Sequence, residues 1–154
     1  MYHRHNDRFS DELGELGRDV PGLAGTATSP EQRHVLCERA RQIRYSRDLR
    51  AESFDQNIFG EPAWDILLAL YTIDGDRRRL STRELCELAG VALTTGLRWL
   101  DSLEEQGMVD RAPNPFDQRM VYVELADGGR AAMDHYLSQM RGAVWFGPIG
   151  SAKG

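Results

Sequence analysis

The sequence predicts a mainly α-helical chain with a small β-hairpin, and three observations carry that prediction. Two serines, Ser29 and Ser81, each stand three residues before a Gln or Glu that can complete a capping box. Gly96, Trp99, Leu100 and Leu103 recur at helical spacing behind a glycine-marked turn at Gly90. The run Met120–Leu125 alternates β-branched and polar groups behind a segment with two prolines and an asparagine. Short helix, tight turn, second helix, then two strands around an arginine-tipped loop is the plan of a winged helix-turn-helix, here with flanking helices.

Taken in order, residues 1–28 hold Gly14, Gly17, Pro21, Gly22 and Gly25 without sustained periodicity and read as a mobile arm, with one turn of helix expected at Asp11–Leu16. Residues 29–142 form the folded unit, its winged core at about 60–126. Ser29 caps a helix with Pro30 at its first position, running to about Phe54. Val35, Leu36, Ala40, Ile43, Tyr45 and Leu49 are interleaved along it with Arg33, Arg39, Arg41, Arg44, Arg47 and Arg50, a pattern that suits either contact with DNA phosphate or packing against other helices. After a connector at Asp55–Gly60, Glu61–Thr72 is apolar around most of its circumference and is expected to be the buried central helix, with Trp64 in the core. Asp74–Asp76 is a turn, and Leu80 is placed to form a single bridge with the hairpin.

The next helix opens with Ser81 and Glu84 before the apolar Leu85 and Leu88, and Gly90 closes it. The second helix spans 93–106 and stops at Gly107. Its polar side carries Thr94, Arg98, Ser102 and Glu105, with Thr95 at the edge. Its first two turns offer Thr94, Thr95, Leu97 and Arg98 to a groove: arginine forks onto guanine, and threonine hydrogen-bonds or touches a thymine methyl. Met108–Arg111 is a strand, Ala112–Gln118 a loop, and Val121, Val123 and Leu125 share one side of the returning strand. The wing 112–119 thus projects Gln118 and Arg119, and an arginine there suits a narrow, electronegative minor groove. Arg83 and Arg111 flank this surface. A last helix runs from Gly128 to Arg141, with Ala132, Met133, Tyr136, Leu137 and Met140 apolar, and Asp127 is expected to cap it in place of Ala126. Residues 143–154 form an apolar tail, in which Val144, Trp145, Phe146 and Ile149 are expected to pack on a partner subunit or in a groove.

The stretch LSTRELCELAGV, the run DSLEEQGMVDR, the wing sequence Asp117-Gln118-Arg119 and Leu125–Arg130 resemble the MarR-type winged-helix transcription regulators. The resemblance covers about residues 59–137, and Phe59–Asp65 with Thr94–Trp99 is similar to a branch of that family in high-GC bacteria. It implies a homodimeric regulator of transcription, a repressor acting by occlusion, that reads an inverted repeat in double-stranded DNA. Residues aligned with Thr94, Thr95 and Arg98 would face the major groove, and the one aligned with Arg119 the minor groove. Ala92, Gly96, Leu97 and Ala126 depart from the family's usual threonine or serine caps, β-branched core residue and polar groove residue. Gly96 alone costs about 1 kcal/mol against alanine in a helix interior. Members of the family commonly hold a small-molecule effector between their dimerisation helices and DNA-binding unit, but no convergent polar set marks one here.

Length and composition bound the rest. The chain has 154 residues, 41% hydrophobic and 28% charged, which fits one globular domain. A net charge of −5 does not advertise nucleic-acid binding; the placement of arginine does that. Of the 19 basic residues only Lys153 is lysine, and Arg77, Arg78, Arg79, Arg83, Arg98, Arg111 and Arg119 fall where a DNA face needs them. No apolar run reaches the roughly 18 residues of a membrane span and no signal region precedes the arm, so a cytoplasmic location is expected, with no membrane partner. Cys37 and Cys86 show no metal spacing and read as packed, reduced thiols; Cys37 is the candidate if peroxide is sensed. Catalytic and cofactor motifs are lacking, and His34 and His135 stand alone, so neither an enzyme nor a cofactor is expected. A competing reading is a winged-helix protein-interaction module, or an activator or cofactor without base readout, for which Leu93, Leu97, Asp101, Glu104 and Glu105 argue.

Overall fold

The computed structural model describes residues 28–54, 60–74 and 78–140. The elements are α1 (Pro30–Ser53), α2 (Pro62–Asp74), β1 (Leu80–Ser81), α3 (Thr82–Ala89), α4 (Leu93–Glu105), β2 (Val109–Asn114), β3 (Asp117–Leu125) and α5 (Asp127–Gln139). A mainly helical winged helix-turn-helix with a small hairpin is therefore what the chain forms. The arm up to residue 27, the connector up to residue 59, the expected turn at Gly75 and Asp76, Arg77, Arg141 and the apolar tail lie outside the described residues.

Both capping boxes close. Ser29 accepts from the Gln32 amide and Gln32 reaches back to the Ser29 amide; Ser81 and Glu84 repeat the exchange at α3. The bonds from Ser81 hold the Glu84 carboxyl below its usual range. The left-handed Gly90, φ 67°, ends α3, a conformation that glycine adopts without a Cβ clash.

The central helix is α2. Ile66, Leu68, Ala69, Leu70, Tyr71 and Thr72 are all buried, and α1, α3, α4, α5 and β3 pack around it. Trp64 is half-buried against this core and meets Tyr136 edge-on, ring centroids 5.0 Å apart. The sheet has the order β1-β3-β2 and is antiparallel throughout; Leu80 pairs with Val123 and Ser81 with Tyr122, a two-residue strand where a single bridge is expected. Val123 and Leu125 are buried and Glu124 is exposed, as alternation requires.

Several expectations need correcting. The wing is not a seven-residue loop: β2 continues to Asn114, a two-residue turn holds Pro115 and Phe116, and β3 begins at Asp117. Pro113 fits because an edge strand does not need every amide for its ladder. Asp127 lies inside α5 rather than capping it; Ala126 is the cap, without a side-chain bond, and Asp127 pairs with Arg130. Leu88 and Ala132 are exposed, and Tyr136 stays 48% exposed although Trp64 meets one edge of its ring.

The arginines of α1 fasten it to the rest. Arg39 donates to the Leu137 carbonyl at 2.7 Å, and Arg44 to Thr72 Oγ1 at 3.0 Å and the Leu88 carbonyl at 2.9 Å. Arg47 binds Asp65 and Glu61, and Arg33 lies between Asp74 and Asp134 at 3.6 and 3.7 Å. Arg130 grips the same Asp74 through two nitrogens at 2.9 and 2.7 Å, which lowers the Asp74 pKa despite partial burial. Tyr71 donates to Asp134, and its own pKa is raised, first by burial and then by that bond.

Candidate nucleic-acid interface

Helices α3 and α4 are joined by Gly90, Val91 and Ala92, with the Val91 amide donating to the Cys86 carbonyl at 2.9 Å. This close turn brings α4 against α3 at Gly96. A Cβ built there would come within 2.3 Å of Cys86 Sγ, so the thiol occupies the space a side chain would take. Leu100 and Leu103 continue the buried side of α4 and Trp99 packs partly against the core. The departure from a β-branched residue at position 96 thus has a partner in Cys86.

The opposite side of α4 is open. Thr94, Leu97 and Arg98 are exposed and Thr95 is half-buried. No side chain caps the helix at Ala92, so neither threonine takes over that role among the described residues. Arg83 on α3 and Gln118 and Arg119 on the wing are exposed too. The guanidinium groups of Arg83, Arg98 and Arg119 make no hydrogen bond or ion pair among the described residues.

Arg111 behaves differently. It binds Glu104 through Nε at 2.9 Å and through Nη2, which also lies 2.8 Å from Asp101. Its pKa is raised by those carboxylates, the Glu104 bond first. The structure thus ties Arg111 to the far end of α4, where it offsets two acids that would otherwise repel phosphate. Arg78 and Arg79 meet Glu84 and Glu124 only at 3.8 Å, on the surface, where such pairs contribute little.

The wing tip is held by its own side chains. Asn114 Oδ1 accepts from the Phe116 amide at 2.9 Å, while Asn114 Nδ2 donates to the Tyr122 hydroxyl at 3.1 Å. Asp117 Oδ1 accepts from the Arg119 amide at 3.0 Å. Pro113 pairs with Val121 but Asn114 with Asp117, so Gln118, Arg119 and Met120 bulge from the ladder. The bulge places Arg119 at the tip. Phe116 had no part in the sequence reading beyond lying in the wing, yet it is 98% exposed. Only its position between two turn-forming residues, Pro115 and Asp117, hinted at that.

Cys37 is buried with its thiol 3.8 Å from the Tyr71 carbonyl, and burial raises its pKa more than Arg41 and Arg33 lower it. That is a packed, protonated thiol. A hollow of about 230 Å³ lies between α2 and β3, lined by Leu70, Ile73, Asp74, Arg78, Arg79 and Val123 among others. It is smaller than the roughly 300 Å³ at which ligand pockets begin. No helix among the described residues is long and apolar enough to cross a membrane.

Residues 60–120 match the model of the MarR family. No curated protein matches the chain. Among solved structures, it is similar to the transcriptional regulator PA4135 at 25% identity, covering 66% of this chain and 74% of that one, with a TM-score of 0.42. It is also similar to the PcaV transcriptional regulator of Streptomyces coelicolor, solved with its natural ligand, at 22% identity over 62% and 68% of the two chains and a TM-score of 0.44. A third similarity is to the transcriptional repressor CouR bound to a 23-mer DNA duplex, at 23% identity over 67% and 68% and a TM-score of 0.43. The matched segment holds α2, α3, α4 and the wing tip described above, so the part of the chain that is similar to the MarR family is its winged helix-turn-helix.

Proposed function

We propose that the chain is a sequence-specific regulator of transcription that binds double-stranded DNA as a homodimer and represses by occlusion. Two α4 helices related by a two-fold axis would read an inverted repeat, with half-sites about one helical turn apart or a multiple of it. Thr94, Thr95, Leu97 and Arg98 face the bases, Arg119 and Gln118 enter the minor groove, and Arg83 meets phosphate. Arg111 contributes indirectly by holding Asp101 and Glu104. The observation that carries this reading is the open guanidinium of Arg98 on the polar side of α4, in a chain whose α1 arginines are mostly tied internally.

For the dimer, the support is on α1. At about 100° per residue, Val35, Tyr45 and Leu49 fall opposite the buried Leu36, Cys37 and Ala40. Those three side chains are 48, 65 and 44% exposed. A helix apolar on two opposing sides is suited to pack on its own core with one and on a second copy with the other.

The test is a selection of duplexes from a random-sequence pool with the full chain, followed by titration across salt. Binding of one sequence class, as a dimer, with affinity falling steeply as salt rises is the expected result, because phosphate neutralisation releases counterions. Leu97, 42% exposed on α4, favours a second reading as a protein-interaction module. Failure to recover any sequence class would select that one.

A further inference from the structure

We infer that Phe116 is a wedge: on binding, its ring enters the minor groove and partly unstacks one base step in each half-site. The inference rests on the DNA-binding reading above and adds a specificity-determining contact to it. Phe116 is 98% exposed, whereas Tyr45, the next most exposed large apolar side chain among the described residues, is at 65%. A ring so placed adds nothing to the core, while the backbone that carries it is braced. Asn114 holds its amide, Tyr122 holds Asn114, and Asp117 holds the amide of Arg119 on the other side of the turn.

The occupant follows from what stands beside the ring. Arg119, three residues on, projects from the same bulged tip with an open guanidinium, and a narrow minor groove concentrates the negative potential that draws such a group in. Asp117 is the repulsive charge at the tip, but one of its oxygens is already engaged by the Arg119 amide. Proteins that bind the minor groove insert phenylalanine or methionine between base steps and bend the duplex. Met120, 37% exposed, lies on the returning strand of the same bulge. A β-hairpin tip with an apolar point and an adjoining arginine fits that groove better than it fits a flat apolar surface.

The experiment uses the full chain and a duplex it selects from a random-sequence pool, with 2-aminopurine placed at successive steps under the wing and dyes at the two ends. Wild type is expected to raise 2-aminopurine fluorescence at one step per half-site and to bring the ends closer. Phe116→Ala should lose both signals and bind about tenfold or more weaker, a loss of the size that one unstacking contact supplies. Phe116→Trp should restore them, and the melting temperature should not move in either variant. If Phe116→Ala keeps affinity, fluorescence and bend, the wedge is wrong while the DNA-binding reading stands. If wild type selects no duplex, both fall. If Phe116→Ala instead turns the DNA-free protein from dimer to monomer in sedimentation, the ring serves contact between copies and the wedge is overturned.

Discussion

The arginines of α1 and those of the winged module carry the same charge and meet opposite fates. Arg33, Arg39, Arg44 and Arg47 each find a carbonyl or carboxylate on α2, α3 or α5 or just before α2. Arg83, Arg98 and Arg119 are exposed and find none among the described residues. The difference is one of geometry. An arginine on a helix packed lengthwise against others lies beside their exposed carbonyls and acids, whereas Arg83, Arg98 and Arg119 stand on sides of α3, α4 and the wing tip that no carboxylate or carbonyl of the described residues reaches. A count of basic residues cannot separate fasteners from groups left available to a partner, which is why a net charge of −5 is compatible with a DNA face.

The largest effect that would sharpen this contrast is on stability. Arg130→Ala removes the two-nitrogen grip on Asp74 and leaves a carboxylate that is only 19% exposed. It should lower unfolding free energy by about 2–3 kcal/mol in urea titration, with the order of preference among DNA sequences unchanged. A variant as stable as the parent would remove the distinction between fastening and available arginines.

Arg98→Ala should do the reverse. Discrimination at one base of each half-site should fall by about 1–3 kcal/mol per contact, read by titration on matched and mismatched duplexes, while the urea midpoint stays put. An unchanged base preference would move the reading role to Thr94, Thr95 or Leu97.

A smaller effect tests the seam between α3 and α4. Gly96→Ala should destabilise the fold, since its Cβ meets Cys86 Sγ at 2.3 Å. In a Cys86→Ala background the same change should instead stabilise, by up to about 1 kcal/mol, because alanine is the better helix former once the sulfur is gone. Melting curves of the four proteins decide it. A Gly96→Ala cost that persists without the thiol would mean that some other contact excludes the methyl.

The smallest effect is a pH dependence. The Arg130 bond keeps the folded pKa of Asp74 below its unfolded value, so this stabilisation is complete above about pH 4 and is lost as pH falls through the folded value. The urea midpoint should therefore drop below about pH 4, and less steeply in Asp74→Asn. Equal slopes in the two proteins would mean that other carboxylates carry the acid limb.

Most of the element order is legible in the sequence. Ser29 with Gln32, Ser81 with Glu84, Gly90, and the alternation of Val121, Val123 and Leu125 each declare themselves within a few residues. The wing's true shape was not, because two prolines and an asparagine read as loop whether or not a neighbouring strand recruits them. Arg111 was legible as a basic residue beside the motif, but not as the partner of Asp101 and Glu104, which reach it only after the chain reverses at Gly107. In the sequence Gly96 is a weakness in a helix, whereas in the fold Cys86 fills its space.

The sequence by itself determined where α1, α3 and α4 begin, which side of β3 faces the core, and that α4 has a polar side. Those choices are made by hydrogen bonds and side-chain periods that span four residues or fewer. Only the tertiary structure decided which arginines are tied and which are left open, that Tyr71 and Asp134 meet, and that Phe116 stands in water at a braced tip. A guanidinium or a ring takes its role from whatever another element brings within reach, and that is fixed by packing between residues far apart in the chain.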